Sequence, residues 1–146
     1  MIFIRLMKTV AMSISFLTLS ACNEVELDSD QLNQLVVSGN EIVVAVNAYK
    51  ELRNSLPESL GELVSIKLLQ TIPESGIEGN RFRYVRFNPI EKLEYRVTVR
   101  LSKPSVLLLS DSSSTELTFR SDGNYESKNV EIHKFINGWV VQTVYR

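Results

Sequence analysis

The chain has 146 residues, 44% of them hydrophobic, with 16 Lys+Arg against 17 Asp+Glu, one His and one Cys. This is the composition of one ordinary globular domain, which excludes a two-domain enzyme, a disulfide framework and a zinc knuckle. A net charge of -1 with no polybasic block also excludes nucleic acid as the main partner, because counterion release needs several clustered Lys or Arg.

Residues 1 to 21 have a composition of their own. Arg5 and Lys8 are their only charges, no acid occurs before Glu24, and Thr9 to Leu19 form a mostly apolar run, the layout of a secretory signal peptide. As a helix this run would cover roughly 16 Å at ~1.5 Å per residue, about half of a ~30 Å hydrocarbon core, so it is too short for a spanning anchor. It ends in Leu19-Ser20-Ala21-Cys22. This tetrapeptide resembles the lipobox of bacterial lipoproteins: an apolar residue, two small residues that let a peptidase approach the backbone, and a thiol that a lipid-transferring enzyme converts to a thioether. The resemblance implies cleavage between Ala21 and Cys22 and acylation of Cys22. Two or more acyl chains, at ~0.8 kcal/mol per buried CH₂, hold a protein stably to a membrane where one would not. Acylation also accounts for a sole Cys in an exported chain, which has no disulfide partner. Asn23 stands where the family's inner-membrane retention signal has Asp, so the resemblance implies the outer membrane, with the domain facing the periplasm. The expected organisation is a signal peptide over 1–21, an acylated tether over 22–29 and one domain over 30–146. The mature chain keeps 14 basic residues against 17 acidic ones. At ~3.5 Å per residue the tether reaches roughly 25 Å, which keeps the domain close to the lipid surface.

From Asp30 onward Leu32, Leu35, Val36, Gly39, Ile42, Val43, Val46, Tyr49 and Leu52 or Arg53 recur at spacings of three and four. They predict one long helix with a single buried stripe, capped by Ser29 or Asp30. Gly39 costs ~1 kcal/mol against Ala in a helix, so packing must hold this one, and a Gly on the buried stripe lets the helix approach a sheet closely. Pro57 to Leu69 reads as a shorter second helix with Leu60, Leu63, Val64 and Leu68 inward, and Ile72-Pro73 with Ser75-Gly76 ends it. After Gly79 the period becomes two: a strand over Arg81 to Phe87, a turn at Asn88-Pro89, and a strand over Leu93 to Leu101 alternating with Glu94, Arg96, Thr98 and Arg100. Val106 to Leu109 reads as a short central strand and Ser110 to Ser114 as a polar loop. Leu117 and Phe119 then alternate with Glu116, Thr118 and Arg120, and Asp122-Gly123 makes another turn.

Asn137-Gly138 between two apolar-rich runs is the preferred type I′ hairpin pair. It predicts Ile136 opposite Trp139 and a register in which paired numbers sum to 275. One face then carries Val130, Ile132, Lys134, Ile136, Trp139, Val141, Thr143 and Tyr145 and should pack on the core. The wetter face carries Glu131, His133, Phe135, Val140, Gln142 and Val144, with His133 opposite Gln142. Helices followed by consecutive strands, without βαβ alternation, predict an α+β fold: a long N-terminal helix and a shorter one packed on an antiparallel sheet of about five to six strands.

The stretch from Ala48-Tyr49 to Tyr84, about a quarter of the chain, resembles the head region of type IV pilins and type II secretion pseudopilins. It has a helix end, then Leu56-Pro57-Glu58-Ser59-Leu60 with Leu63, then Ile72-Pro73 and a strand opening with Phe82 and Tyr84. The resemblance implies a long helix wrapped by an antiparallel sheet. The Pro-x-Ser-Leu phrase is also what a Pro at the first helical position requires. The chain lacks the prepilin cleavage site and continuous apolar N-terminal helix of a filament subunit, and a shared fold would not by itself carry function.

Residue types that carry chemistry are sparse. His133 alone cannot build a metal site, no Gly-x-Ser-x-Gly elbow accompanies it, and Glu131 on the same strand face reads as an ion-pair partner. Asp111-Ser112-Ser113-Ser114 and Asp122-Gly123-Asn124 lack the spaced carboxylates of a calcium loop and read as turns. No catalytic residue, metal site or cofactor is predicted. The remaining cluster is basic and aromatic: Arg81, Phe82, Arg83, Tyr84 and Arg86 on one strand, with Arg96 and Arg100 on the polar face of its partner. Such a face suits lipid headgroups, lipopolysaccharide or an acidic envelope protein, unless the arginines simply pair with Glu91 and Glu94. The expected role is a non-catalytic interaction or accessory module in secretion or pilus machinery. The alternative is a ligand-binding module with a pocket between helix and sheet.

Overall fold

The computed structural model describes residues 27–102, 113–125 and 127–146. The signal segment, the Cys22 motif, most of the tether and the Val106 to Leu109 strand lie outside the described residues. Within them α1 spans Ser29–Arg53 and α2 Leu60–Ser65, followed by β1 Arg83–Asn88, β2 Glu94–Arg100, β3 Ser113–Arg120, β4 Val130–Ile136 and β5 Trp139–Tyr145. The five strands form one antiparallel sheet in the order β1-β2-β3-β5-β4, an α+β domain with the helices on one face.

The long helix starts slightly before the expected position. Asp28, rather than Ser29 or Asp30, is the N-cap, its Oδ1 accepting from the Gln31 backbone N–H at 2.8 Å. Leu32, Leu35, Val36, Gly39, Ile42, Val43, Val46 and Tyr49 are buried as the periodicity predicts. Neither Leu52 nor Arg53 continues the stripe: both are exposed, Leu52 at 70% because it lies on the outer side of the helix. The second helix is only six residues long. Its N-cap is Ser59, so Pro57 lies ahead of the helix rather than at its first position. Ser59-Leu-Gly-Glu62 is a capping-box spacing in which the Glu62 carboxylate reaches back to the Glu58 N–H at 2.7 Å.

The sheet face under α1 carries one aromatic ring from each of four neighbouring strands. Tyr84, Tyr95, Phe119 and Trp139 are in successive contact, with centroid separations of 5.9, 6.0 and 5.5 Å. Gly39 sits directly over the last ring. A Cβ there would come 2.5 Å from Cζ2 of Trp139, closer still to Cη2, and 3.3 Å from Phe82. The polar tips of the aromatics dock the helix: Trp139 Nε1–H donates to Asn40 Oδ1 at 2.7 Å and Tyr95 O–H to Asn47 Oδ1 at 2.8 Å.

Two bulges revise the predicted strand faces. Between Arg86 and Asn88 the β1–β2 register shifts, and Leu93, placed in the strand by alternation, instead has φ +50° ahead of Glu94. The Asn137-Gly138 turn has both φ angles positive, as a type I′ turn requires, and Ile136, Phe135 and Lys134 pair with Trp139, Val140 and Val141 as predicted. Between Ile132 and Lys134 the register then slips by one, so Ile132, not His133, is opposite Gln142, and Val130 is opposite Val144. The extra residue moves Val130 and Ile132 to the face away from α1 and carries Glu131 to the helix side. Ser113 and Ser114 begin β3 rather than a loop.

Replacing Gly39 with Ala should destabilise the domain. The helical propensity gained is ~1 kcal/mol, while overpacking a closed core typically costs about 1 to 3 kcal/mol, and the hydrogen-bonded Trp139 cannot yield. Urea denaturation should show a lower midpoint with an unchanged slope; an unchanged or higher midpoint would contradict the packing described for Trp139.

Candidate functional site: the open face of the sheet

The face of the sheet away from the helices follows from pairing, since residues directly opposite on neighbouring strands share a face. Arg83 is opposite Thr98, Val85 opposite Arg96, Arg96 opposite Arg120, Arg100 opposite Glu116, and Thr118 opposite both Thr98 and Val140. Arg83, Arg96 and Arg100 therefore meet on one surface. Arg86 does not, because it pairs with Tyr95 on the helix side, where its charge acts on Glu62 and Tyr84. Arg81 is exposed but precedes β1. The predicted five-residue patch divides accordingly.

Beneath the arginines runs a polar row that residue types alone do not announce. Thr98, Ser114, Glu116, Thr118 and Gln142 are all buried. Glu116 Oε1 accepts from Ser114 Oγ at 2.8 Å and Oε2 from Thr98 Oγ1 at 3.2 Å. With the Thr98 hydroxyl so engaged, the 2.9 Å contact with Thr118 makes Thr118 the donor, and Thr118 in turn accepts from Gln142 Nε2 at 3.2 Å. The hydroxyl protons of the row are relayed toward one carboxylate, so that its buried hydroxyl groups are hydrogen-bonded as the interior demands. The consequence falls on Arg100: its cross-strand carboxylate is occupied by hydroxyls.

Arg120, by contrast, is neutralised. It forms a two-pronged ion pair with Asp122 at 2.9 and 2.7 Å, and its guanidinium lies 4.7 Å from the Phe87 ring centroid. Hydrogen bonding to Arg120 holds the Asp122 carboxyl below its ordinary range, and the same bond raises the guanidinium. Among the described residues the guanidinium groups of Arg83, Arg96 and Arg100 have no ion pair, with Glu91, Glu94 or any other acid. The Nε atoms of Arg96 and Arg100 are buried without a hydrogen-bond partner. Such a surface can hold an anionic group by two-pronged hydrogen bonds from the free guanidinium ends.

The other candidates resolve differently. His133 is the bulge residue, and its Nε2 lies 2.7 Å from Thr143 Oγ1 rather than near Gln142. Glu131 does not pair with it, because its carboxylate accepts from the Tyr145 hydroxyl at 2.5 Å. Among the described residues no third group orients the imidazole in the manner of a nucleophile and base pair. Among the described residues no group of three His, Cys, Asp or Glu could hold a metal ion. The interior between α1 and the sheet is filled by Ile42, Val46, Tyr95, Val97, Val99 and Trp139. An open cleft of about 530 Å³ lies at its edge, between Gln31, Leu35 and Ser38 of α1, residues 74–78 and Leu101.

One titratable contact ties the two helices. Tyr49 O–H donates to Glu62 Oε1 at 2.5 Å, and this bond, with the Glu58 N–H, holds the Glu62 carboxyl below its ordinary range. A depressed folded-state value contributes stability above the unfolded carboxyl range that disappears as pH falls through the folded value. Tyr49→Phe should therefore unfold at lower urea than wild type at pH 7, with the gap closing below about pH 4. A gap that is unchanged in acid would show that the contact is only packing.

Comparison with known protein families, with curated proteins and with solved structures gives no match for this chain.

Proposed function

We propose that the chain is a lipoprotein, held by acylated Cys22 in the outer membrane with its domain facing the periplasm, and that it works there without catalysis as an interaction module. The lipobox resemblance supports the anchor. The observation that carries the working role is the set of three arginines, Arg83, Arg96 and Arg100, gathered on the open sheet face with no ion pair among the described residues. Like charges held together repel, and an anionic partner removes that cost while gaining charge-assisted hydrogen bonds. An accessory place in secretion or pilus machinery accords with the head-region resemblance. A second reading, a ligand-binding module, has the cleft beside α1 in its favour; a small apolar ligand raising the thermal midpoint would support it.

The two halves of the proposal separate experimentally. Cells fed a palmitate analogue should label the wild-type chain and not Cys22→Ser, and the variant should leave the membrane fraction; label retained by the variant would refute the anchor. In native envelopes, cross-linking should trap an adduct of the wild-type chain that falls at least tenfold when Arg83, Arg96 and Arg100 are all replaced by Ser, with circular dichroism verifying a folded domain. An undiminished adduct would refute the arginine face as the working surface.

A further inference from the structure

The outer side of α1 presents chemistry complementary to the open sheet face, and the two lie on opposite sides of the same domain. Val37, Val44 and Leu52 are 62%, 67% and 70% exposed along one side of the helix. Such an apolar stripe is unneeded on a helix already buried by its opposite side. Glu41 and Glu51 are exposed on this same side. Neither has a Lys or Arg three or four positions away to pair with along the helix, and neither forms an ion pair with a described residue. The sheet offers the converse: Arg83, Arg96 and Arg100 beside Val85 and Phe87, which are 40% and 39% exposed.

The spacings also agree. Glu41 and Glu51 are about 15 Å apart along the helix axis at ~1.5 Å per residue, and Arg96 and Arg100 about 13 Å apart along β2 at ~3.3 Å per residue. Long arginine side chains close the difference. A helix on the open face would also complete a helix–sheet–helix layering, the usual way a sheet buries both of its faces.

Resting on the reading that the arginine face is the working surface, we propose that its occupant is a second copy of this chain, docking through the outer side of α1. The contact is heterologous. Each copy uses its helix on one neighbour and its sheet on the other, so copies add head to tail in a row or ring. A shared membrane also raises the effective concentration, so that a modest contact suffices.

The test uses the full-length lipidated chain in phosphatidylcholine vesicles, with the single substitutions Val44→Cys on the helix and Val85→Cys on the sheet. Mild oxidation of the mixture should give at least tenfold more disulfide-linked dimer than either variant alone. Dimer formed equally well by Val44→Cys alone would mean helix-to-helix pairing and would overturn the proposal, as would no dimer at all. Adding Arg96→Glu and Arg100→Glu to the Val85→Cys chain should abolish the product, and adding Glu41→Arg and Glu51→Arg to its partner should restore it; no restoration would also overturn it. The envelope adduct separates this idea from the one beneath it. If its mass is not that of two copies yet it still depends on the arginines, the second-copy proposal fails and the arginine face stands. If the adduct ignores the arginines, both fail.

Discussion

The rest of the molecule depends on the meeting of α1 with the Trp139 indole at Gly39. Because that residue has no Cβ, the ring lies against the helix backbone, and Asn40 beside it accepts the indole N–H at 2.7 Å. Seven residues on, Asn47 accepts the Tyr95 hydroxyl at 2.8 Å. Two helical turns span about 10 Å, comparable to the two interstrand spacings of ~4.8 Å that separate β5 from β2. Two amides on one helix thus set its position over four aromatic rings, and hydrocarbon fills the space between. Polar tips on large apolar side chains suit this purpose: the ring supplies buried area and the hydrogen bond supplies register.

Placing both helices on one face decides the character of the other. A sheet packed on one side normally alternates apolar-in with polar-out, and β2 does so with Tyr95, Val97 and Val99 against Arg96, Thr98 and Arg100. Here the outward side is not merely solvated. Its centre is a buried row of hydroxyl, amide and carboxylate groups linked by hydrogen bonds, and its margin is cationic. Arg96 and Arg120 are directly opposite, an unfavourable pairing that Asp122 relieves by taking Arg120. The carboxylate that could have done the same for Arg100 is Glu116, and Ser114 and Thr98 already hold it. Glu116 is thus tied into the buried row, and among the described residues Arg100 forms no ion pair with it.

Much of this order was legible in residue spacing, and the failures share a cause. The stripe from Leu32 to Tyr49 and the value of Gly39 within it follow from a 3.6-residue period, and the Asn137-Gly138 turn follows from the need for two positive φ angles. The bulge at His133 leaves no such mark. One inserted residue in an edge strand changes no composition, yet it exchanges the faces of Val130, Glu131 and Ile132 and takes His133 away from Gln142. Phe135, Val140 and Gln142 do lie on the side away from α1, as alternation predicts, but Val140 and Gln142 are buried there while Phe135 is 66% exposed. The contact of Glu62 with Tyr49 has no mark in the sequence, because the two side chains come from different helices.

The sequence by itself determined the long helix, the hairpin turn, the α+β order and the pool of arginines, because these rest on local periodicity, turn chemistry and residue type. Only the tertiary structure decided which arginines of different strands share a surface, since that rests on the pairing of Arg83 with Thr98, Arg96 with Arg120 and Arg100 with Glu116. It alone decided which of them form ion pairs, because Arg120 reaches Asp122 two residues on, while the carboxylate opposite Arg100 accepts from Ser114 and Thr98 instead. Pairing between strands distant in the chain sets those distances, and no local pattern encodes them.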